Sequence, residues 1–383
     1  MKVIIVGAGP TGLFTCDQLL RNSKDIEVKL FDRMNSPGNK FLIAGKSGLN
    51  LTHSSEMDKF ISNYFNNKDL FKSLLEDFSN GDLVDWAHEL GVETFVGSSG
   101  RVFPKTFKAA RFLKLWLDRL KSYDNFTFYS GSEVESVSNQ SISINGEELF
   151  FDKLVLALGG ASWKNTGSNG EWVNFLKDLN VKVNDFKSLN CGFNTAFSFD
   201  FVPLKYVKVS YENNSILGDV MLTKYGIEGS PIYYLSHFLN DKHKPSILID
   251  LVPDHDLDFV NSKLSTKKSM STKLKSFLDE NKVLFLKKIT TKDEFHSIDY
   301  MSKILKNISL QLDSARDIDE AISTSGGVCL SELSNGLFLK NYNNIYLGGE
   351  MLDWDAPTGG FLLQGCFSQG FRIAKSILNK KGQ

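Results

Sequence analysis

The 383-residue chain has little cysteine. Its four Cys include no CxxC and no close pair, which excludes a disulfide framework and a thiolate metal site. It has no excess charge of either sign. Lys and Arg number 44 against 45 Asp and Glu, so no global attraction to nucleic acid or to a membrane surface follows from composition. It also lacks an apolar run near the ~18 residues that span a bilayer. The first apolar run, Val3 to Val6, is short and ends in glycine and proline, so it reads as a strand and not as a signal peptide. What remains is globular: 42% hydrophobic and 23% charged residues exclude wholesale disorder, and the length suits two to three domains. The expectation is a soluble cytoplasmic protein with no metal, no membrane attachment and no stable protein partner.

The chain opens strand, glycine turn, helix, strand. After Lys2, Val3–Val6 is continuously apolar, Gly7-Ala-Gly9-Pro-Thr-Gly12 follows, and apolar residues then recur at helical spacing to Asn22. Ile26, Val28 and Leu30 alternate with polar residues and lead to Asp32. Residues 35–55 are rich in Gly, Ser and Asn and long for a connection, a pattern that goes with function. Helices are predicted near 57–78, 82–90 and 106–121, and a hairpin turn at Asn145-Gly146. A buried strand from Lys153 ends at Gly159-Gly160, and a tail strand from Asn344 leads through Gly348 and Gly349 to a long helix from about Gly359. Residues 189–255 read as β-rich, and 256–310 as helical with a mild Lys excess.

Gly7, Gly9 and Gly12 fit GxGxxG. In that pattern the first glycine makes the tight turn, the second admits a pyrophosphate, and the third lets helix pack on strand. The helix start offers N–H groups and a positive dipole end. Asp32 follows Gly12 by 20 residues, where a carboxylate accepts from a ribose diol. The alternative is a glycine turn that only packs helix on strand. The fingerprint alone does not separate FAD from NAD. The tail favours FAD: Glu350 sits just past a strand, where it could hold a polyol hydroxyl, and Thr358-Gly359-Gly360 opens a helix whose N–H groups suit a flavin's pyrimidine carbonyl. There the alternative is a helix-terminal turn used only for packing.

Eight segments in order carry a family resemblance: GAGPTGL (7–13), KFLIAGKSGLNLTHS (40–54), GRVFP (100–104), LALGGASWKNTGSNG (156–170), NCGF (190–193), GIEGSPIY (226–233), AISTSGG (321–327) and GEMLDWDAPTGGFLLQGCF (349–367). The chain resembles the BaiN/RdsA-like NAD(P)/FAD-dependent oxidoreductases, flavoproteins with a glutathione-reductase-type FAD fold. The resemblance implies an α/β fold: a Rossmann-like FAD-binding domain at 1–188 and 325–383, an inserted β-rich domain at 189–255 and 311–324, and a helical subdomain at 256–310. It implies that Gly7, Gly9, Pro10, Thr11 and Gly12 hold the FAD pyrophosphate, and that Asp32, with Arg33 beside it, belongs to the adenosine end. Lys40, Gly45, Gly48, Asn50, Leu51 and Thr52 match a second loop along the cofactor. Gly159 and Gly160 match the turn beside it, and Val134 the backbone contact to adenine. Gly349, Glu350 and Thr358, Gly359, Gly360, Phe361 and Leu362 match the ribityl and isoalloxazine contacts. Phe361 stands where many members have Tyr, and Asp355 where many have Glu.

The first helix holds only Cys16 and no CxxxxC, which argues against thiol–disulfide exchange. No second GxGxxG follows a strand, so NAD(P)H would visit the flavin transiently. The resemblance implies reduction of a carbon–carbon double bond at the junction of the FAD domain and the insert. The substrate would be uridine in ribosomal RNA, giving dihydrouridine, or a small-molecule enone. Rival readings are a flavin monooxygenase or oxidase, and a non-catalytic flavin- and RNA-binding protein. A reduction of this kind needs a proton donor. His53, Lys46, Cys191 and Cys329 are the candidates, each with an alternative: a backbone hydrogen bond for His53, a phosphate contact for Lys46, core packing for the two Cys. Residues 101–121 carry seven bases and one acid, which reads either as a phosphate-binding face or as an ordinary solvated one.

Overall fold

The computed structural model describes residues 1–46 and 48–379. Two compact units divide the chain: Met1–Lys187 with Ser323–Gln383, and Ser188–Ile322.

The first unit is built on six strands: β1 (Lys2–Val6), β2 (Glu27–Phe31), β3 (Phe126–Tyr129), β4 (Lys153–Leu156), β5 (Phe338–Leu339) and β6 (Tyr342–Leu347). Their spatial order is β5-β6-β4-β1-β2-β3, and all neighbours run parallel apart from the antiparallel pair β5 and β6. β1 lies between β4 and β2, with Ile4 opposite Leu154 and Lys29. Burial on both faces explains why Val3 to Val6 is an unbroken apolar run and does not alternate.

Two helices pack closely, α1 (Pro10–Asn22) and α2 (Phe361–Asn379). The approach needs glycine: a Cβ on Gly370 would lie 2.9 Å from the Thr11 carbonyl oxygen. Hydroxyls fasten the seam, Thr11 Oγ1 donating to the Cys366 carbonyl (3.1 Å) and Thr15 Oγ1 to the Gly370 carbonyl (3.2 Å). Beside it sit Phe14, Trp86, Trp116 and Phe367, with ring centroids 4.9 to 6.3 Å apart. Truncating one such buried ring costs about 3–5 kcal/mol. The carboxylate of Asp17 is buried under this cluster. It accepts from Trp86 Nε1 at 2.9 Å and lies 2.8 Å from Arg119 Nε. Arg119 therefore turns inward and is not part of a solvated basic face.

Two three-stranded sheets also belong to this unit. One places Arg101–Pro104 between Thr52–His53 and Thr94–Val96. The other joins Val134–Val137, Ser141–Ile144 and Glu147–Phe150, turning at Asn145 and Gly146 with φ of 51° and 78°, the two left-handed residues of a tight hairpin. The helix expected over 57–78 is broken. It runs as Met57–Ile61, a 3-10 turn Ser62–Asn67 and Lys68–Asp77, with Phe65 at φ 42°. The break turns Tyr64 inward, where its ring stacks on Phe71 at 3.7 Å and its hydroxyl donates to the Phe361 carbonyl at 2.9 Å. Tertiary contact outweighs helical continuity there. The 35–55 segment also contains a short helix, Asn39–Ala44.

The second unit holds a seven-stranded sheet in the order Ile308–Gln311, Ser246–Asp250, Val202–Tyr211, Asn214–Leu222, Gly226–Glu228, Phe193–Asn194 and Ser314–Ala315. Its strand pairs are antiparallel. Short helices fill residues 257–304, and Asp256, Ser269, Asp279, Thr291 and Ser297 cap them through their side chains. Among the described residues no helix is long and apolar enough to cross a membrane.

α2 is tied to the helix Lys68–Asp77 by Asp77, which pairs with Arg372 and, at 2.7 Å, with Lys375. Burial raises the Asp77 pKa, but the hydrogen bonds from Lys375 and Arg372 outweigh it and leave the carboxyl below its ordinary value. The pair therefore stabilises the fold above the unfolded carboxyl's pKa of 3.8, and that contribution disappears as pH falls through the lower folded value. Asp77→Asn should lower stability by about 1–2 kcal/mol at neutral pH, between the exposed and the buried ion-pair ranges. The difference from wild type should shrink below about pH 4. Denaturant titrations at several pH values read both effects, and a pH-independent difference would refute the linkage.

Candidate cofactor cleft

A cleft of about 480 Å³ opens at the carboxyl ends of β1 and β4. The glycine turn after β1 forms one wall, and its three glycines have different reasons to be glycine. Gly7 has φ 102°, and a Cβ there would lie 2.1 Å from the Ala157 carbonyl oxygen. A Cβ on Gly12 would lie 2.0 Å from the Gly7 carbonyl oxygen. Both positions are closed by backbone. Gly9 is unlike them: its φ of −82° and ψ of −178° suit any residue, and a Cβ there meets no protein atom within 4 Å. Gly9 lines the cleft as the N-cap of α1, with Pro10 the first helical residue. The first N–H groups of α1 have no intrahelical acceptors, and at this position they suit a phosphate.

At the end of β2, Asp32 accepts from the backbone N–H groups of Ala8 (2.6 Å) and Met34 (2.8 Å). Burial raises its pKa, against the opposing effect of those N–H groups and of Arg33. Each carboxylate oxygen keeps a lone pair for a diol. Arg33 reaches Glu133 at 3.2 Å and Glu171 at 3.3 Å, linking two walls. Val134 and Gly159 also line the cleft. Further along, Lys40 Nζ donates to Glu350 Oε2 (2.8 Å) and Ser162 Oγ (2.7 Å). This ion pair faces the cleft together with Gly349 and Cys366. Burial, and to a lesser degree Glu350, pushes the Cys366 thiol up to about 12, so it stays protonated.

A second cluster gathers the loop at 50–53 against the start of α2. With its amide oriented to satisfy both neighbours, Asn50 accepts from the Gly360 N–H (3.2 Å) and donates to the Thr52 carbonyl (3.1 Å). Thr52 Oγ1 donates to Gln364 Oε1 at 2.8 Å. Gly360, at φ 98°, lies so close that a Cβ would be 2.5 Å from the Thr52 carbonyl carbon. His53 stacks on Phe361 with centroids 5.2 Å apart. Its Nε2 meets the Ser99 carbonyl at 2.9 Å, and its Nδ1 accepts from the Ser55 N–H at 3.1 Å, with Ser55 Oγ at 2.7 Å. A carbonyl only accepts, so the network assigns the proton to Nε2. Burial holds the ring's pKa down, and Lys59 and Arg101 add to that. His53 is neutral at pH 7, with both nitrogens engaged.

The family model for the HI0933-like protein Rossmann domain matches residues 1–376. The chain belongs to the HI0933-like family of FAD-dependent oxidoreductases. Membership implies a flavin cofactor. The chain is 24% identical over 420 residues to the 3-dehydro-bile acid delta(4,6)-reductase of Clostridium scindens, covering 99% of both. It is 24% identical over 403 residues to the ribosomal RNA dihydrouridine synthase of Haemophilus influenzae, covering 98% of both. Among solved structures, an open flavocytochrome c3 fumarate reductase superposes with a TM-score of 0.55 at 12% identity, over 99% of this chain and 78% of that one. The 3-ketosteroid delta1-dehydrogenase of Sterolibacterium denitrificans gives 0.51 at 10% identity, over 99% of each chain. At such identities they show the fold alone: α/β, FAD-binding and Rossmann-like, with additional antiparallel sheets.

The residues present in this HI0933-like chain fit a dinucleotide flavin. An open Gly9 beside a helix start suits a pyrophosphate, a backbone-held Asp32 suits a ribose, and Glu350 with Lys40 suits a polyol. The remaining expected contacts fall in other places. Gly12 is a packing residue, and so is Gly45, whose Cβ would lie 2.3 Å from Ala109 Cβ. Gly48 needs its φ of 124°. Leu51 is buried, with its N–H on the Val102 carbonyl, and Gly160 packs on Thr324 Oγ1. Leu362 is half-buried at the start of α2, and Thr358 and Gly359 form the turn before it. Of the proton-donor candidates, Lys46 is exposed, and Cys329 is buried where its N–H meets the Lys182 carbonyl. Cys191 is buried in the second unit, and burial pushes its thiol up to about 11. Sequence reasoning missed Trp172, Phe175 and Asp178, which line the cleft from the short helix Val173–Asp178 and its N-cap. No motif marks them. It also missed Cys366, in the second turn of α2.

Gly9→Glu should fold with apo-protein stability within about 0.5 kcal/mol of wild type, yet retain no flavin. Gly7→Ala should lose more than about 4 kcal/mol and be recovered largely unfolded. Thermal melts of the apo-proteins and flavin absorbance after gel filtration separate the two. A flavin-loaded Gly9→Glu protein would contradict this assignment.

Proposed function

We propose that this protein binds FAD in the cleft and uses NAD(P)H to reduce a carbon–carbon double bond conjugated to a carbonyl, as a cytoplasmic enzyme. The observation that carries the reading is the distribution of groups along one cleft: Asp32 at one end, the open Gly9 and helix start in the middle, and the Lys40–Glu350 pair beyond. A bound flavin supplies hydride chemistry; the protein supplies binding, orientation and charge. Gly9, Pro10 and Thr11 would hold the pyrophosphate and Asp32 the adenosine ribose. Arg33 would close the wall beside it, Val134 would meet the adenine, and Gly159 would border the cofactor. Glu350, oriented by its ion pair with Lys40, would hold the ribityl chain. Asn50, Thr52 and the segment Thr358–Leu362 would meet the isoalloxazine ring. With both His53 nitrogens engaged, the proton for the second substrate carbon would come from another group or from water.

The two curated relatives support the bond type. A 3-oxo-Δ4,6 steroid and a uracil ring share an α,β-unsaturated carbonyl. Ribosomal RNA is one candidate substrate, and a small enone the other. The basic segment 101–121 gives RNA limited support, because Lys105 pairs with Glu93, Lys114 with Asp118 and Arg119 with Asp17.

Nucleoside mass spectrometry of large-subunit ribosomal RNA, from cells lacking the gene and cells restored with the intact or the Gly9→Glu gene, tests the substrate. The RNA reading predicts dihydrouridine that is lost on deletion and returns only with the intact gene. Unchanged dihydrouridine, with NAD(P)H oxidation by the purified protein on a conjugated enone, assigns a small molecule. Neither result would refute the reductase reading.

A further inference from the structure

Five of the seven arginines lie in ion pairs with carboxylates: Arg21 with Glu89, Arg33 with Glu133, Arg119 with Asp17, Arg316 with Glu320 and Arg372 with Asp77. Arg111 is exposed. Arg101 is unlike both sets. It is half-buried, and among the described residues it has no carboxylate partner and no side-chain hydrogen bond. A half-dehydrated cation without a counter-charge is unfavourable unless something else supplies the charge.

Its surroundings indicate where that charge would be. Arg101 sits on the middle strand of the Thr52–His53, Arg101–Pro104, Thr94–Val96 sheet, directly opposite His53. Its Nε lies 3.9 Å from where a Cβ on Gly359 would be, so the guanidinium stands beside the turn that opens α2. Its position is held from both sides. Its carbonyl accepts from the Gly97 N–H at 2.8 Å, and Gly100, at φ 80°, presses the strand so closely on His53 that a Cβ would lie 2.5 Å from the ring. His53 is neutral, and the charged groups that act on it, Lys59 and Arg101, are both positive. The first N–H groups of α2 add a positive dipole end. This end of the unit thus gathers positive charge that no carboxylate among the described residues pairs with.

We propose that Arg101 is the cation that raises the electron affinity of the bound flavin from its pyrimidine side, by stabilising the negative charge that the ring carries there once reduced. The inference rests on the reading of Thr358–Leu362 as the segment against the pyrimidine carbonyl. A fixed guanidinium in a partly dehydrated site acts on a developing charge more strongly than one in water. Arg101 therefore sets how readily the flavin takes a hydride from NAD(P)H.

Sulfite provides a readout independent of turnover. Its sulfur lone pair adds to the oxidised ring, bleaches the visible band and leaves a negative charge on the pyrimidine. Sulfite titration and dye-coupled potentiometry are run on wild-type holoenzyme, Arg101→Met and Arg101→Lys. Arg101→Met should bind sulfite at least about ten-fold more weakly. The same ten-fold loss in stabilising the reduced ring lowers a two-electron potential by about 30 mV. Arg101→Lys should keep most of the wild-type sulfite affinity and potential. Unchanged sulfite affinity and potential in flavin-loaded Arg101→Met would overturn the proposal. If that variant does not fold, Arg101→Gln takes its place under the same criterion. A wild-type protein that takes up no flavin would instead overturn the cofactor reading beneath it, so the two failures are distinct.

Discussion

At Gly7 the chain has no room for a side chain. The backbone after β1 passes so close to the end of β4 that a single Cβ would overlap the Ala157 carbonyl, and Gly12 is pressed as tightly on Gly7. These contacts set the angle at which α1 leaves the sheet. They bring its first N–H groups to the carboxyl edge of β1 and leave Gly9 facing open space. The rest follows by packing. α1 fixes α2 through Gly370 and the Thr11 and Thr15 hydroxyls. The start of α2 in turn fixes the 50–53 loop through Gly360, Asn50 and Thr52. One steric constraint in the first dozen residues thus positions groups more than three hundred residues away.

The charges along this framework differ in kind. Asp32 is held by backbone N–H groups, which need no partner side chain, so its outer lone pairs stay available. Glu350 is half-buried and held by an ion pair with Lys40, beyond the helix start in the cleft. At the far cluster the balance reverses. Among the described residues no carboxylate pairs with Arg101, and the charged groups acting on His53 there, Lys59 and Arg101, are positive. Acids along the cleft and positive charge at the second cluster are the charge distribution that a family of flavin oxidoreductases can use.

The parts of this arrangement that follow from local rules could be read from the residues alone. The fingerprint, the acid after β2, the Asn145-Gly146 hairpin and the glycine-led final helix each depend on a few neighbouring residues. Features that depend on tertiary contact were hidden. Nothing local marks the break at Phe65, because it exists to let Tyr64 stack on Phe71 and reach Phe361. Nothing in 101–121 distinguishes Arg119, drawn inward by Asp17, from Arg101, which has no carboxylate partner among the described residues. The different reasons for Gly7, Gly9 and Gly12 are also invisible in the pattern, since each is simply a glycine until its neighbours are in place. Trp172 and Phe175 reach the cleft from a helix whose periodicity marks only burial.

One FAD in the cleft, with its pyrophosphate over Gly9, is the proposed binding mode on which the rest depends. The most direct measurement is to purify the protein under native conditions, denature it, and identify and quantify the released cofactor by chromatography and mass spectrometry. The expected result is FAD, non-covalently bound, approaching one per chain, with apo-protein reconstituted by FAD and not by FMN. A purified, folded protein that carries no flavin and takes up none, or that prefers FMN, would contradict it.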